Sequence, residues 1–170
     1  MAEFDPKKVS TLDWVVIGAG GLAFIDSFLP WYTASVSFSG ISRSDSAGAW
    51  SAGFAAWFSV LLLMAAGGLV LANAMGAQIK LPAPASLFAL GLSVLAFVLI
   101  LLRWFTFPSV DTGLGGLGEG FKASSGPGFG LFVGLICAAA AAAASFLAFR
   151  AAGGTFSQLR QTPGSRPPIG

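Results

Sequence analysis

Residues 50–74 read WSAGFAAWFSVLLLMAAGGLVLANA, 25 positions without a single charge. A helix needs roughly 20 apolar residues to cross the hydrocarbon core of a bilayer. Inside that core only a helix or a closed barrel satisfies its own backbone. This stretch alternates no polar residues at a period of two, so it reads as a spanning helix. Working outward, three further runs repeat the pattern: Leu12 to Leu29, Ala83 to Leu102 and Gly128 to Phe149. The last two are also free of charge, whereas the first holds Asp13 and Asp26. The expected fold class is an all-α membrane protein, a four-helix transmembrane bundle with a short β-hairpin in its first outer loop. Its helices are expected at about 12–30, 50–75, 83–107 and 128–151. Residues 1–10 form a cytoplasmic N-terminus, 11–152 the membrane domain and 153–170 a disordered cytoplasmic tail.

Composition supports this class. The 170 residues are 55% hydrophobic and 9% charged, against about 25% charged in an ordinary soluble domain. A net charge of +2 is too small to attract nucleic acid, so no nucleic-acid partner is expected. The lone Cys137 cannot form an intramolecular disulfide and falls inside the fourth run, where a thiol packs as a small apolar group. Histidine is absent, which removes the commonest general base and metal ligand. No catalytic residue, metal ligand or cofactor is expected. Lys7 and Lys8 ahead of Val15–Ile25 imitate a signal peptide. Asp26, Pro30, Trp31 and Tyr32 are poor flanks for cleavage, so the first run is expected to stay as a helix.

Charge and aromatics set the orientation. Lys7, Lys8, Lys80, Arg150, Arg160 and Arg166 flank one side, and Arg43, Arg103 and Lys122 the other. Basic residues favour the cytoplasm, which puts both termini inside. Trp31, Tyr32, Trp50, Trp104, Phe105 and Phe107 gather at the expected outer boundary, and Trp14 at the inner one. Trp14, Trp31, Tyr32, Trp50 and Trp104 read as interfacial anchors, because indole and phenol rings favour the headgroup level.

The inner connection, Met75 to Pro82, is short and makes the second and third helices antiparallel neighbours. In the first outer loop Tyr32, Ala34, Val36 and Phe38 alternate with Thr33, Ser35, Ser37 and Ser39, a strand period. Ser39-Gly40 ends or turns that strand, and Ile41 to Ser46 return as its partner. A lone hairpin is marginal in water, so it needs the helix ends or the other loop beneath it. That second loop, Ser109 to Pro127, carries six glycines and reads as flexible. It lacks the Gly-Lys-Ser/Thr ending of a phosphate loop.

In lipid, helices associate through small residues that let backbones approach. The stripes are Ala19, Ala23 and Ser27; Gly68, Ala72 and Gly76; Ala85, Ala89 and Ser93. The fourth run offers the block Ala138 to Ala144, which includes Ala142, with Gly134 before it and Ser145 after. One costly feature stands out. Asp26 lies four residues before Pro30 and Arg103 five before Pro108, so both fall at similar depth near the outer face. They are expected to form an intramembrane ion pair, directly or through Ser27 or water. Its role is left open between a packing lock, separate snorkelling to the headgroups, and ion or proton movement.

Phe28-Leu-Pro-Trp-Tyr32, the serine-rich loop with Gly48-Ala-Trp50, and the Arg103–Pro108 exit resemble the small four-helix integral membrane proteins of actinobacteria, mostly of unassigned function. The resemblance covers roughly residues 10 to 150 and implies a plasma-membrane protein of a high-GC Gram-positive cell. Claudin-like tetraspans share four spans and a stranded first loop, but their paired loop cysteines are missing here, so that likeness is topological. Three functions remain in view. The first is a non-enzymatic accessory or self-assembling subunit of a membrane complex, whose partners are the lipid bilayer and further copies or another membrane protein. The second is an oligomeric channel or transporter component, for which Ser27, Ser59, Asn73, Ser86, Ser93 and Ser145 supply few and scattered polar groups. The third is a lipid enzyme, which lacks an ordinary nucleophile–base pair.

Overall fold

The computed structural model describes residues 9–38, 41–77, 84–106 and 121–154. The expected flexible glycine loop between 107 and 120, the turn at 78–83 and the ends of the chain lie outside the described residues. Seven elements follow in order: α1 (Thr11–Asp26), β1 (Tyr32–Phe38), β2 (Ile41–Ala47), α2 (Phe54–Ala74), α3 (Ala85–Phe105), β3 (Phe121–Pro127) and α4 (Phe129–Ala151). The protein is mostly helical, with four helices and one small antiparallel sheet.

α2, α3 and α4, of 21, 21 and 23 residues, are each long and apolar enough to cross a membrane. α1 differs from the expected 12–30. It has 16 residues and stops at Asp26, a rise of about 24 Å, so it is not by itself a span of full length. Ser27 caps it, and the turn into Pro30 removes the donor that a further helical turn would need. Its start is fixed by Ser10, whose hydroxyl accepts the Asp13 N–H at 3.1 Å and donates to the Asp13 carboxylate at 2.8 Å. α2 begins at Phe54 rather than at Trp50, because Gly53 turns the chain at φ 109°.

Each helix packs against its neighbours in sequence, and α1 closes the ring against α4. α1 and α3 therefore stand at opposite corners, as do α2 and α4. The interior is rich in small residues, Ala19 and Ala23 on α1, Ala56 and Ala66 on α2, Ala89, Ser93 and Ala96 on α3, and Gly134, Ala138, Ala141 and Ser145 on α4, set around the buried Val16, Val60, Leu63, Ile100 and Leu131. Many bulky side chains point the other way, with Leu22, Ile25, Leu61, Val94, Leu102, Ile136 and Leu147 all exposed. Outward apolar residues around small inward ones suit a lipid-immersed bundle.

Two residues of the stripe expected on α2 need correction. On α2 the inward glycine is Gly67, one position from the expected Gly68. A Cβ on Gly20 would stand 2.8 Å from the Leu63 carbonyl oxygen and 3.4 Å from the Gly67 Cα, whereas one on Gly68 would meet nothing within 4 Å. The α1–α2 crossing is thus a glycine-to-glycine contact at Gly20 and Gly67. Gly76 is no packing residue either. At φ 75° it ends α2, with Gly76 N–H bonded to the Asn73 carbonyl and Ala77 N–H to that of Ala72, the glycine-terminated closure of a helix. Gly153 repeats that closure at the end of α4. Ala72, Ala85 and Ala142 are only half-buried, while Ala138 is fully enclosed.

The hairpin forms as expected, with Phe38 opposite Ile41. The second outer loop departs from expectation: its last seven residues make β3, which pairs antiparallel with β1 on the side away from β2. Ser35 and Ser124 hydroxyls meet at 2.8 Å across that seam. The hairpin's support is thus the other loop. The strand ends Tyr32, Ala47 and Pro127 lie together at the root of the sheet, and Tyr32 packs there against the bundle core.

Replacing Gly20 or Gly67 with alanine forces backbones apart at the closest helix crossing and should cost about 1–3 kcal/mol. Gly68→Ala fills open space and should leave the melting temperature in detergent unchanged or higher. Equal losses from all three would refute the assigned crossing.

Candidate functional site

The sheet-bearing end of the bundle gathers two buried polar residues, Asp26 and Ser27, around one indole. Trp31 is 0% exposed, so the expected interfacial anchor is in fact a core residue. Pro30 turns the chain inward and the ring enters a slot floored by α4. A Cβ on Gly130 would come within 2.6 Å of the ring's Cδ1, and one on Gly134 within 2.7 Å of its Cζ2. The indole N–H donates to the Asp26 carbonyl at 3.0 Å, so the ring also caps α1. Its backbone joins three elements: Trp31 N–H donates to the Ala47 carbonyl at 2.8 Å, and its own carbonyl accepts the Gly128 N–H at 2.9 Å. Averaged interface preference predicts a tryptophan at the headgroups. Here a fitted slot outcompetes it, and the signal was the glycine spacing at 128, 130 and 134.

Ser27 is the second node. It is fully buried; its hydroxyl donates to the Phe24 carbonyl and accepts the Trp50 indole N–H at 3.0 Å. Its backbone carbonyl accepts the Ala49 N–H at 2.9 Å, and a Cβ on Gly48 would stand 2.8 Å from that oxygen. Gly48-Ala-Trp50 is therefore the clasp that holds the start of the 48–53 turn on the end of α1. Trp50 itself stays exposed, as do Trp14 and, at the margin, Trp104, which stacks on Phe105 and meets Phe132 edge-on. Tyr32 is half-buried.

Asp26 is 2% exposed. One carboxylate oxygen lies 3.2 Å from where a Gly134 Cβ would be, under the Trp31 ring. Neither oxygen has a hydrogen-bond partner among the described residues. Arg103 is half-buried and lies elsewhere: its guanidinium carbon is 3.4 Å from where a Gly53 Cβ would be, and Nη1 reaches the Thr106 carbonyl at 3.5 Å. Asp26 thus sits in the α1–α4 seam and Arg103 over the start of α2. Matched depth placed the two together in the sequence; the diagonal arrangement of α1 and α3 separates the seams they occupy. The direct contact expected between them is not among the Asp26 carboxylate's interactions.

Deeper in, Ser59 donates to the Ala56 carbonyl at 2.7 Å. Ser93 and Ser145, on the adjacent α3 and α4, are enclosed, and neither hydroxyl has a hydrogen-bond partner among the described residues. At the end of the bundle away from the sheet a hollow of about 480 Å³ opens between the helices, lined by Ser10, Asp13, Asn73 and Ser86 among others. Cys137 is buried, as the sequence predicts. Among the described residues no three of His, Cys, Asp or Glu come together as a metal site would need. The chain matches no protein-family model, no curated protein and no solved structure.

Trp31→Ala empties the slot and should cost about 3–5 kcal/mol of stability in detergent. The double-mutant cycle of Asp26→Asn and Arg103→Gln should be additive to within about 0.5 kcal/mol. A larger coupling energy would show that the two charges do act as a pair.

Proposed function

We propose that this chain is a non-enzymatic subunit of the plasma membrane that crosses the bilayer four times and assembles with itself or with a partner complex. What supports this most is the division of labour in the fold. A bundle rich in small, closely packed residues carries a serine-rich sheet outward, and neither edge of that sheet pairs with a further strand among the described residues. Scaffolds of this kind present surface. In this reading α1 completes its crossing with the flanking Val9–Ser10 and Ser27–Leu29, its exposed Leu22, Ile25 and Phe28 facing lipid. The termini lie in the cytoplasm, following the basic residues, and the sheet lies outside. The actinobacterial resemblance of the outer-end motifs fits the same setting.

A second reading, a channel or transporter component, is favoured by one observation. The Asp26 carboxylate and the Ser93 and Ser145 hydroxyls are buried without hydrogen-bond partners, and polar groups held in a membrane interior often mark a path. Ser93 lies about 12 Å along α3 from its inner end and Ser145 about 9 Å along α4 from its inner end, so the two hydroxyls share a depth. Asp26 sits at the far end of the bundle.

Purification in mild detergent with mass measurement should give a multiple of the 17.3 kDa chain or a stoichiometric complex with another membrane protein. Single copies with nothing bound would overturn the proposal. Ion flux through reconstituted vesicles, abolished by Asp26→Asn, would move the assignment to the second reading.

A further inference from the structure

β1 is the middle strand, so β2 and β3 are both edges, but they are not alike. β3 ends on Pro127, which has no N–H to offer a neighbour. β2, Ile41-Ser-Arg-Ser-Asp-Ser-Ala47, contains no proline, and residues 41–46 are all exposed.

The register settles which backbone groups point outward. Gly128 N–H bonds to the Trp31 carbonyl, so the odd-numbered residues of β1 turn toward β3 and the even-numbered ones toward β2. Ala34 stands opposite Asp45 and Val36 opposite Arg43. The backbone groups of Arg43 and Asp45 are therefore engaged with β1, and those of Ser42, Ser44 and Ser46 face the open edge. The Ser46 N–H is met there by the carboxylate of its neighbour Asp45, at 2.8 Å.

Arg43 and Asp45 share a face and flank Ser44 symmetrically, and neither has a charged residue opposite it on β1. Two opposite charges spaced evenly about a central residue are self-complementary under a two-fold axis. An antiparallel copy of β2 centred on Ser44 sets each Arg43 opposite Asp45 of the second copy. Those positions are the non-hydrogen-bonded ones, where opposed Cα atoms come to about 4.5 Å and side chains meet best. Ser42 and Ser44 supply the hydrogen bonds with the Ser46 carbonyl, and the Ser46 N–H joins them as Asp45 turns from it to Arg43 of the second copy. Any register shifted by two residues loses both charge pairs.

We propose that β2 is a homotypic docking strand. Two copies of this chain join β2 to β2, antiparallel about Ser44, into one six-stranded sheet fastened by two reciprocal Arg43–Asp45 pairs. This rests on the self-assembling reading above and names its surface. Edge strands carrying charge repel foreign edges; here the same charges admit the chain's own. The two-fold axis stands perpendicular to the sheet, so the two strand roots, and with them the two bundles, lie at opposite ends of the joined sheet.

The test uses the full chain in mild detergent on a Cys137→Ala background, with S44C oxidised by copper phenanthroline. S44C should cross-link into dimers. S42C should do so at least tenfold less, since its sulfurs stand about 14 Å apart along the strand. Adding R43D or D45R to S44C should each cut self-cross-linking several-fold, and mixing the two variants should restore it. Equal cross-linking at residues 42 and 44, or R43D and D45R pairing with themselves as well as with each other, overturns the proposal. If S44C stays uncross-linked while the mass still shows an oligomer, this edge is wrong and self-assembly stands. If the chain is a lone monomer, both fall.

Discussion

The seating of Trp31 between Gly130 and Gly134 is the contact on which the outer half of the molecule depends. One residue ends the α1 turn through its indole N–H, leads into β1, bonds to the Ala47 carbonyl and receives the N–H of Gly128, the residue that caps α4. Without a side chain at either glycine the ring lies flat on the α4 backbone. In a membrane, where burying apolar area against another helix gives little driving force, such close fitting must replace it. The sheet consequently has a fixed root, although it rises from two separate loops.

Two of the sequence motifs that set this chain apart meet within a few residues of that contact. Phe28-Leu-Pro-Trp-Tyr32 delivers the indole, and Gly48-Ala-Trp50 clasps Ser27 from the other side. They look like interface decoration when read along the chain. In space they are the joinery between the first helix, the hairpin and the second helix. Asp26 lies inside this joinery, which is why its depth alone misleads about its company.

The helices were legible because an uninterrupted apolar run has few alternatives in a bilayer. The hairpin was legible because its alternation has a period of two, and Ala19, Ala23, Ala89, Ser93 and Ala138 were found by spacing. What escaped needed relations between segments. Choosing Gly68 over Gly67 is an error of one residue, or about 100° around a helix, and only the partner's backbone decides between them. β3, with Ser-Ser-Gly-Pro in its second half, has almost no strand character of its own and exists because β1 offers it an edge. The diagonal placement of α1 and α3 cannot be read from either helix alone.

The central strand has one neighbour close in the chain and one far away: Ser37 bonds to Ser42, five residues on, while Ser35 bonds to Ser124, 89 residues on. At ribosomal speeds of about 5–20 residues per second, the hairpin is made roughly 4–18 seconds before its third strand. For that interval the half-built sheet has one side of β1 bare. The newborn chain must therefore wait, unzipped on one side, until its last helix inserts and brings the missing strand with it.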